Sequence, residues 1–234
     1  MIPRDTIEKL AMCFASLSEL GQQLSEAQWK LPTECPGWTV QDNLSHIVAF
    51  ERVLNGHPAT SHQAQGFDYI RNPIGASNEN EIDARRHLSG AEVLAEWNQT
   101  AAERLATLRS ADEAYYSTEM STPTGLGTIA DLLHIRVLDC WVHEQDMRSA
   151  LGVPGGRDSK AVDVGIGFFL NLIEVSDPPL FNELTSTSVS QWDILRSLTG
   201  RRTVEQMNSI GLNGEAIALH FPGSPFSLPK EAVE

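Results

Sequence analysis

The sequence predicts an all-α protein whose helices pack as a bundle. Several long segments repeat apolar residues at intervals of three and four, the period of a helix with one buried face. Strand patterns do not alternate with helix patterns, and the chain contains no internal repeat or low-complexity tract. With 234 residues, 41% of them hydrophobic, it is long enough for one main domain and a tail. These features favour helices packed on helices over a sheet-based fold.

The first two predicted helices are separated by a segment rich in helix-breaking residues. "DTIEKLAMCFASLSELGQQL" repeats apolar residues as a core-facing helix does, and "LPTECPGW" then interrupts the pattern with two prolines and a glycine. Thr39 and Asp42 have the spacing of a capping box at the start of the second helix. Gly56 is placed where that helix should end.

A polar segment and a third helix follow. Residues 56–88 are rich in Asn, Gly, Ser and His and have weak periodicity, so we expect a long surface loop or irregular helical pieces. This segment holds histidines that we expect to be solvated: His57, His62 and His87. Ser89 and Glu92 form another capping box, which predicts that the third helix begins there.

The last long helix of the bundle is predicted from Thr128 to Gly152, because glycine with a proline just beyond it is a common helix stop. "KAVDVGIGFFLNLIEV" predicts a fifth helix, and "VSQWDILRSLTG" and "RTVEQMNS" predict short ones. "AIALHFPGSPFSLP" predicts a short strand and then a loosely held surface segment. We therefore expect a bundle over residues 1–155 and an extension over residues 156–234 that packs on it.

The charge and the cysteines limit the kinds of partner and compartment. The formal net charge of −14 and the pI of about 4.9 oppose binding to nucleic acid and to anionic membranes. The cysteines, Cys13, Cys35 and Cys140, lie far apart and form no CxxC pair, which indicates a reducing cytoplasm. The N-terminus lacks the apolar core of a signal peptide, and no apolar run is long enough to cross a bilayer.

The fourth helix carries polar residues at helical spacing. Asp139 and His143 are four residues apart and so share a face, and His46 lies in the middle of the second helix. Two imidazoles and one carboxylate suit a divalent first-row ion and leave one position open to water or substrate. Two simpler interpretations remain: the Asp–His pair forms a surface hydrogen bond, and His46 is a core histidine with a polar partner.

Other polar and reactive residues are assigned simpler roles. Cys140 points away from Asp139 and is expected to lie in the core. His134 and Arg136 either point at the same pocket as the metal candidates or, as we favour, have surface roles. Asp146 is placed to orient His143 from one turn away. The glycines of "GLG" and "PGG" do not follow a strand and open a helix, so they indicate turns and no phosphate-binding loop.

Two long motifs resemble a known family. "CPGWTVQDNLSHIVAFE", followed by "TPTGLGTIADLLHIRVLDCWVHEQDMRSALG", is similar to the mycothiol-dependent maleylpyruvate isomerase family of the DinB/YfiT-like superfamily. The resemblance covers roughly residues 1–155 and implies a DinB-like four-helix bundle. It also implies a metal, commonly zinc, on His46, Asp139 and His143. By this resemblance, the isomerase has Glu at the position where this chain has Asp139. Asp is shorter than Glu, but its carboxylate can also bind zinc.

The resemblance also implies a reaction class. Relatives use low-molecular-weight thiols, so we expect mycothiol as cofactor or cosubstrate in S-transfer to, or cis-trans isomerisation of, a small electrophile. Arg201 and Arg202 are candidates to bind a carboxylate of the thiol or of its partner. A metal-dependent hydrolase with the same site and a non-catalytic metal-binding or small-molecule-binding stress protein remain as alternatives. We expect a monomer or homodimer that binds small molecules and no nucleic acid.

Overall fold

The computed structural model describes residues 1–70, 72–221 and 228–229. It divides into two compact units, Met1–Val153 and Pro154–Glu234. Nearly all regular structure in the described residues is helical, which confirms the predicted all-α class. Among these residues, no helix combines the length and the apolar character that crossing a bilayer requires.

The first unit is a four-helix bundle with short additions. Its elements, in chain order, are α1 (Arg4–Gly21), α2 (Glu26–Trp29), α3 (Val40–Leu54), α4 (Pro73–Asp83), α5 (Gly90–Ser110), α6 (Glu113–Tyr116), β1 (Glu119–Thr122), β2 (Gly125–Thr128) and α7 (Ile129–Leu151). The bundle consists of α1, α3, α5 and α7. Helices α1 and α3 each pack against both α5 and α7, so the core lies between all four.

Side-chain caps begin α3, α5 and α7 where the sequence predicts these helices to start. The side chain of Thr39 accepts a hydrogen bond from the Asp42 backbone N–H, and the Asp42 carboxylate accepts one from the Thr39 N–H. The same reciprocal pattern opens α5 and α7. These contacts satisfy backbone donors that have no partner within the helix, and they fix where each helix starts.

Aromatic side chains fill the centre of the bundle. Trp97 on α5 is fully buried, and its ring meets Phe14 of α1 edge-on at a centroid distance of 4.8 Å. Its indole N–H donates to Ser18 Oγ at 3.0 Å, so the polar atom of this buried ring has a partner. Trp141 of α7 is buried as well. Helix α7 therefore contributes the Trp141 ring to the core in addition to carrying polar residues.

The second unit consists of shorter helices. They are α8 (Lys160–Ser176), α9 (Pro178–Ser186), α10 (Gln191–Leu198), α11 (Val204–Ser209) and α12 (Gly214–Ala218). Within the unit, α8 packs against α9 and α10, and α11 packs against α12.

The strand predicted near the C-terminus is wrong for its described part. Ala216 and Ala218 belong to α12, because the side chain of Asn213 accepts from the Ala216 N–H and caps a helical turn. Residues 222–227 of that prediction lie outside the described residues. The hairpin of β1 and β2 was predicted only as a turn, since strands of four residues are too short to show a clear alternation.

Candidate metal centre

Helices α3 and α7 bring three ligand-type side chains together. The Nε2 atom of His46, on α3, lies 3.2 Å from Oδ2 of Asp139, on α7. One turn further along α7, the Nε2 atom of His143 lies 3.6 Å from Oδ1 of the same carboxylate. Both histidines are buried, and the Asp139 side chain is 25% exposed. The predicted residues therefore meet at one point that solvent reaches from the carboxylate side.

The spacing of these atoms fits a divalent ion. Metal–ligand bonds of zinc in a tetrahedron place neighbouring N and O ligand atoms about 3.3 Å apart. The distances of 3.2 and 3.6 Å bracket that value, and the ligand atoms of all three residues lie within 4.8 Å of one another. Small side-chain movements would close the set around one cation, so the residues present fit a metal with three protein ligands.

Asn43 fixes the orientation of the His143 ring. The Nδ2 atom of Asn43 donates to the backbone oxygen of Thr39 and to Oγ1 of Thr33, both at 2.9 Å. Its Oδ1 atom must then be the one that faces Nδ1 of His143, at 2.7 Å. Because an amide oxygen only accepts, Nδ1 carries a proton, and Nε2 is the nitrogen that would bind a metal.

Arg136 also contacts the Asp139 carboxylate, at the same oxygen that faces His46. Its Nη1 atom lies 2.7 Å from Oδ2 of Asp139, and its Nε atom lies 2.7 Å from Oε1 of Glu51. Arg104 approaches the other oxygen of Glu51 at 3.3 Å. Arg136 is 1% exposed, so the surface role predicted for it is wrong. The structural reason is that Glu51 of α3 faces α7 and supplies the buried charge that Arg136 needs.

These charges set the protonation of the cluster. Burial raises the pKa of the Asp139 carboxyl, but Arg136, His46 and His143 outweigh it and hold that pKa well below its usual value. Burial lowers the pKa of His46, which keeps its imidazole neutral. For His143, burial also acts to lower the pKa, but the charge of Asp139 and hydrogen bonds to Asp139 and Asp146 raise it well above its usual value. A cation at Nε2 would therefore replace a proton.

The Trp38 ring lies next to both histidine rings. Its ring centroid lies 5.3 Å from that of His46 and 5.7 Å from that of His143. Its indole N–H donates to Oε2 of Glu79 at 3.1 Å, and Oε1 of Glu79 accepts from the Tyr69 hydroxyl at 2.9 Å. Glu79 lies on α4, within the segment predicted as loop or irregular helix. This short helix thus holds the indole at the centre.

The other edge of the His143 ring meets two further polar side chains. Oδ2 of Asp146 lies 3.4 Å from Nδ1 of His143, the position from which Asp146 was expected to orient the ring. The thiol of Cys35 lies 3.9 Å from the same nitrogen and 3.2 Å from the Asp146 oxygen. Cys35 is half-buried, whereas Cys140 is fully buried and its pKa is raised well above the usual value by burial.

The two arginines predicted to bind a carboxylate belong to the second unit. Arg202 is buried, its guanidinium lies 5.0 Å from the Trp192 ring, and Nη2 is 3.4 Å from a carboxylate oxygen of Asp193. Arg201 is half-buried and donates from Nη1 to the backbone oxygen of Thr199 at 2.7 Å. Each guanidinium already has a partner within its own unit.

Sequence reasoning did not assign Asn43, Glu51 or Cys35 to the centre. Asn43 lies one turn before His46, so helical spacing put both on one face without showing that the amide would meet α7. No short-range pattern links Glu51 to Arg136, which are 85 residues apart. Cys35 reaches the ring from the loop before α3, and loop geometry is not readable from periodicity.

Comparison with known proteins gives one family match. The model described as the mycothiol maleylpyruvate isomerase N-terminal domain matches residues 10–148. An uncharacterized protein of Mycobacterium tuberculosis strain H37Rv is 27% identical over 192 residues, which cover 75% of this chain and 71% of the relative. An uncharacterized protein of strain CDC 1551 / Oshkosh gives the same values of 27%, 75% and 71%.

Solved structures show a similar fold. The crystal structure of the mycothiol-dependent maleylpyruvate isomerase matches with a TM-score of 0.63 and 17% identity, covering 85% of this chain and 89% of that one. A histidine-to-alanine mutant of that isomerase matches with a TM-score of 0.59 over the same shares, 85% and 89%. At 17% sequence identity, this structural similarity shows a shared fold.

Proposed function

This chain belongs to the mycothiol maleylpyruvate isomerase N-terminal domain family, and from that premise we propose that it is a divalent-metal-dependent enzyme that uses a low-molecular-weight thiol. In our proposal the thiol is mycothiol and the metal is zinc, held by His46, Asp139 and His143. The observation that carries the proposal is the set of ligand atoms from these residues, all within 4.8 Å of one another. The Asp139 side chain is 25% exposed, and in our proposal the small molecule approaches the ion from that side.

The chemistry divides between the ion and the protein. A bound divalent cation with an open position would supply a thiolate at neutral pH from a thiol that coordinates it. Asn43 holds the His143 ring through Nδ1, and Arg136 keeps the Asp139 carboxylate ionised and oriented. Trp38 offers a flat apolar surface on which a planar, conjugated electrophile lies next to the reacting sulfur.

One nucleophile serves both reactions that we consider. The thiolate forms a C–S bond at a cis double bond conjugated to a carbonyl, and the electron pair moves onto the carbonyl oxygen. The former double bond is then single and rotates. If the C–S bond breaks again, the electron pair returns, the thiolate leaves and the trans isomer is released. If a proton is added at carbon instead, the thioether leaves as the product of S-transfer.

We assign the carboxylate-binding role mainly to Arg201. Arg202 is buried and paired with Asp193 at 3.4 Å, whereas Arg201 is half-buried. Arg201→Ala should raise the KM for mycothiol or for a carboxylate-bearing electrophile more than Arg202→Ala does. Arg201→Lys keeps the charge but loses the planar fork, and so should restore KM only in part. Unchanged KM values for both substrates in both alanine variants would remove this role.

The redox state of the cysteines supports our proposal that this thiol-using enzyme works in the cytoplasm. All three cysteines are free thiols in the described part of the chain. A reducing compartment would keep them, and the thiol cofactor, in that state. We propose that the protein works there as a monomer or homodimer.

The test uses cobalt-substituted full-length protein. Adding mycothiol should produce a sulfur-to-cobalt charge-transfer band, because thiolate is the softer ligand and displaces water from the open position. Asp139→Asn should weaken both the band and metal retention, while circular dichroism stays unchanged because Asn and Asp have similar helix propensity. If no low-molecular-weight thiol changes the spectrum, the thiol proposal fails, and metal-assisted hydrolysis becomes the better assignment for the same ligands.

A further inference from the structure

The His143 ring has polar partners at both of its nitrogens. Nε2 points to the centre described above, at 3.6 Å from Asp139. Nδ1 lies 3.4 Å from Oδ2 of Asp146 and 3.9 Å from Sγ of Cys35, and those two atoms are 3.2 Å from each other. The second edge thus gathers one sulfur, one nitrogen and one oxygen in a compact triangle.

This triangle has the dimensions of a metal site. For a tetrahedral ion with zinc-like bond lengths, neighbouring ligand atoms lie about 3.3 Å apart for N and O, and about 3.5 Å apart when one of them is sulfur. The three observed distances of 3.4, 3.9 and 3.2 Å each fall within a few tenths of an ångström of these values. A sulfur ligand makes the set softer than the His–His–Asp set on the other edge.

We propose that Cys35, His143 and Asp146 form a second cation site, specific for thiophilic ions such as Cd²⁺ and alternative to the His46 site. Binding removes the proton of the Cys35 thiol and the proton on Nδ1 of His143, both of which pass to solvent. The Asn43 amide loses its hydrogen bond from Nδ1, which it accepts at 2.7 Å. That bond disfavours weakly binding ions at this edge.

The two sites exclude each other because they share one ring. An ion on either edge replaces the proton of one ring nitrogen and leaves the other N–H in place. Occupying both edges would strip the imidazole of both protons and leave it an anion. Each chain therefore binds one ion, and the softness of that ion decides the edge: zinc and cobalt with His46 and Asp139, cadmium with Cys35 and Asp146.

Access and chemistry both single out Cys35 among the cysteines. It is half-buried in the loop that precedes α3, so an ion reaches its sulfur from the surface. Cys13 and Cys140 are buried, and burial raises the pKa of each thiol. A thiolate–metal signal from the folded, thiol-free protein would therefore report on Cys35.

The experiment titrates the full-length, metal-free protein with Cd²⁺ in the absence of any added thiol. Wild type should develop the ultraviolet sulfur-to-cadmium absorption at one equivalent, and His46→Ala should develop it equally. Cys35→Ser should lose it while it still binds zinc through the other edge. Asp146→Asn, which keeps Cys35, should weaken cadmium binding by about 10-fold or more.

The outcomes separate this inference from the proposed function. Absorption that persists in Cys35→Ser, absence of absorption in both wild type and His46→Ala, or two equivalents of cadmium per folded chain would each overturn the second site. The thiol test of the first site, run in Cys35→Ser, depends only on added mycothiol. A charge-transfer band with mycothiol in Cys35→Ser, combined with no cadmium absorption in wild type, supports the enzyme and rejects the second site. Cadmium absorption in wild type, combined with no mycothiol band in Cys35→Ser, supports the second site and rejects the thiol enzyme.

Discussion

At the scale of single residues, His143 is the point where the centre is organised. Its Nδ1 atom donates to Asn43 at 2.7 Å, and the amide of Asn43 is itself oriented by Thr39 and Thr33 at 2.9 Å. A ring held in this way presents one nitrogen to Asp139 without losing side-chain entropy when an ion binds. Preorganisation here comes from a buried amide that is not itself a ligand.

Removal of one ligand should abolish stable metal binding. His46→Ala leaves two protein ligands, and the loss of affinity should exceed the roughly 10- to 100-fold that loss of an outer hydrogen-bond partner causes. Elemental analysis after zinc reconstitution measures the metal content per chain. His57→Ala is the matched control, because that exposed imidazole pairs with Glu103 at 3.1 Å. Equal zinc content in both variants would contradict the site.

The buried arginine should contribute to stability as well as to the centre. Arg136→Met leaves Glu51, which is 0% exposed, with Arg104 at 3.3 Å as its remaining ion-pair partner in the described part of the chain. Breaking one member of a buried charge network destabilises by about 3 kcal/mol or more. Urea unfolding of the metal-free protein measures the change. Arg109→Met removes an exposed pair with Glu8 and should change the free energy of unfolding by less than about 1 kcal/mol. Similar effects of the two variants would show that the Arg136 network is not stabilising.

At the scale of elements, the end of α7 depends on one glycine. Gly152 has a φ of 65°, and the backbone N–H of the next residue, Val153, returns to the Arg148 oxygen at 3.0 Å. Nothing lies within 4 Å of an added Cβ there, so only backbone strain opposes a side chain. Gly152→Ala should lower the free energy of unfolding by about 1–2 kcal/mol, measured by urea unfolding.

A second glycine provides the control for that prediction. Gly75, in α4, has no positive φ, and an added Cβ would meet Asn72 Oδ1 at an ordinary 3.5 Å. Gly75→Ala should therefore be neutral or stabilising by up to about 1 kcal/mol. If both substitutions had the same sign and size, the left-handed conformation would not be the cause of the effect at Gly152.

Helix α4 shows how a short element positions the site. It lies in the polar segment where weak periodicity predicted a loop or irregular helix. Asn72 caps its start, and Glu79 is buried at 1% exposure against Trp38 and Tyr69. A carboxylate at that position looks solvent-facing in the sequence. Three donors meet this buried carboxylate: the Trp38 indole, the Tyr69 hydroxyl and the Arg86 guanidinium, whose Nη1 atom lies 2.6 Å from Oε1.

At the scale of the whole molecule, the candidate centre belongs entirely to the first unit. Its ligands, the amide of Asn43 and the Arg136–Glu51 pair all lie within Met1–Val153. A polypeptide of residues 1–153 should therefore fold, as judged by circular dichroism, and bind one zinc ion per chain. The same fragment with His143→Ala is the control. A folded fragment that binds no zinc would show that the second unit is needed for the centre.

The net charge of −14 is also a property of the whole molecule. It weakens nonspecific attraction to the phosphate backbone of nucleic acids.

The sequence by itself determined the helical class, the starts of the long helices and the ligand candidates. Capping boxes act between residues three apart, and Asp139 and His143 share a face because they are four apart. Such signals are local, so a single chain shows them without tertiary information. The residues already grouped His46 with this pair as a candidate ligand, and the family resemblance favoured that role over the alternative of a core histidine.

Only the tertiary structure decided which atoms meet across the bundle. Three contacts across the bundle show this: Arg136 pairs with Glu51, the Asn43 amide meets His143, and the Trp38 indole lies next to both histidine rings. The residues in these contacts are between 8 and 105 positions apart in the sequence. Contacts of this kind follow from how helices and loops pack, and packing is set by the sum of many apolar contacts. No local pattern records that sum, which is why the approach of Cys35 to His143 and Asp146 became visible only in the folded chain.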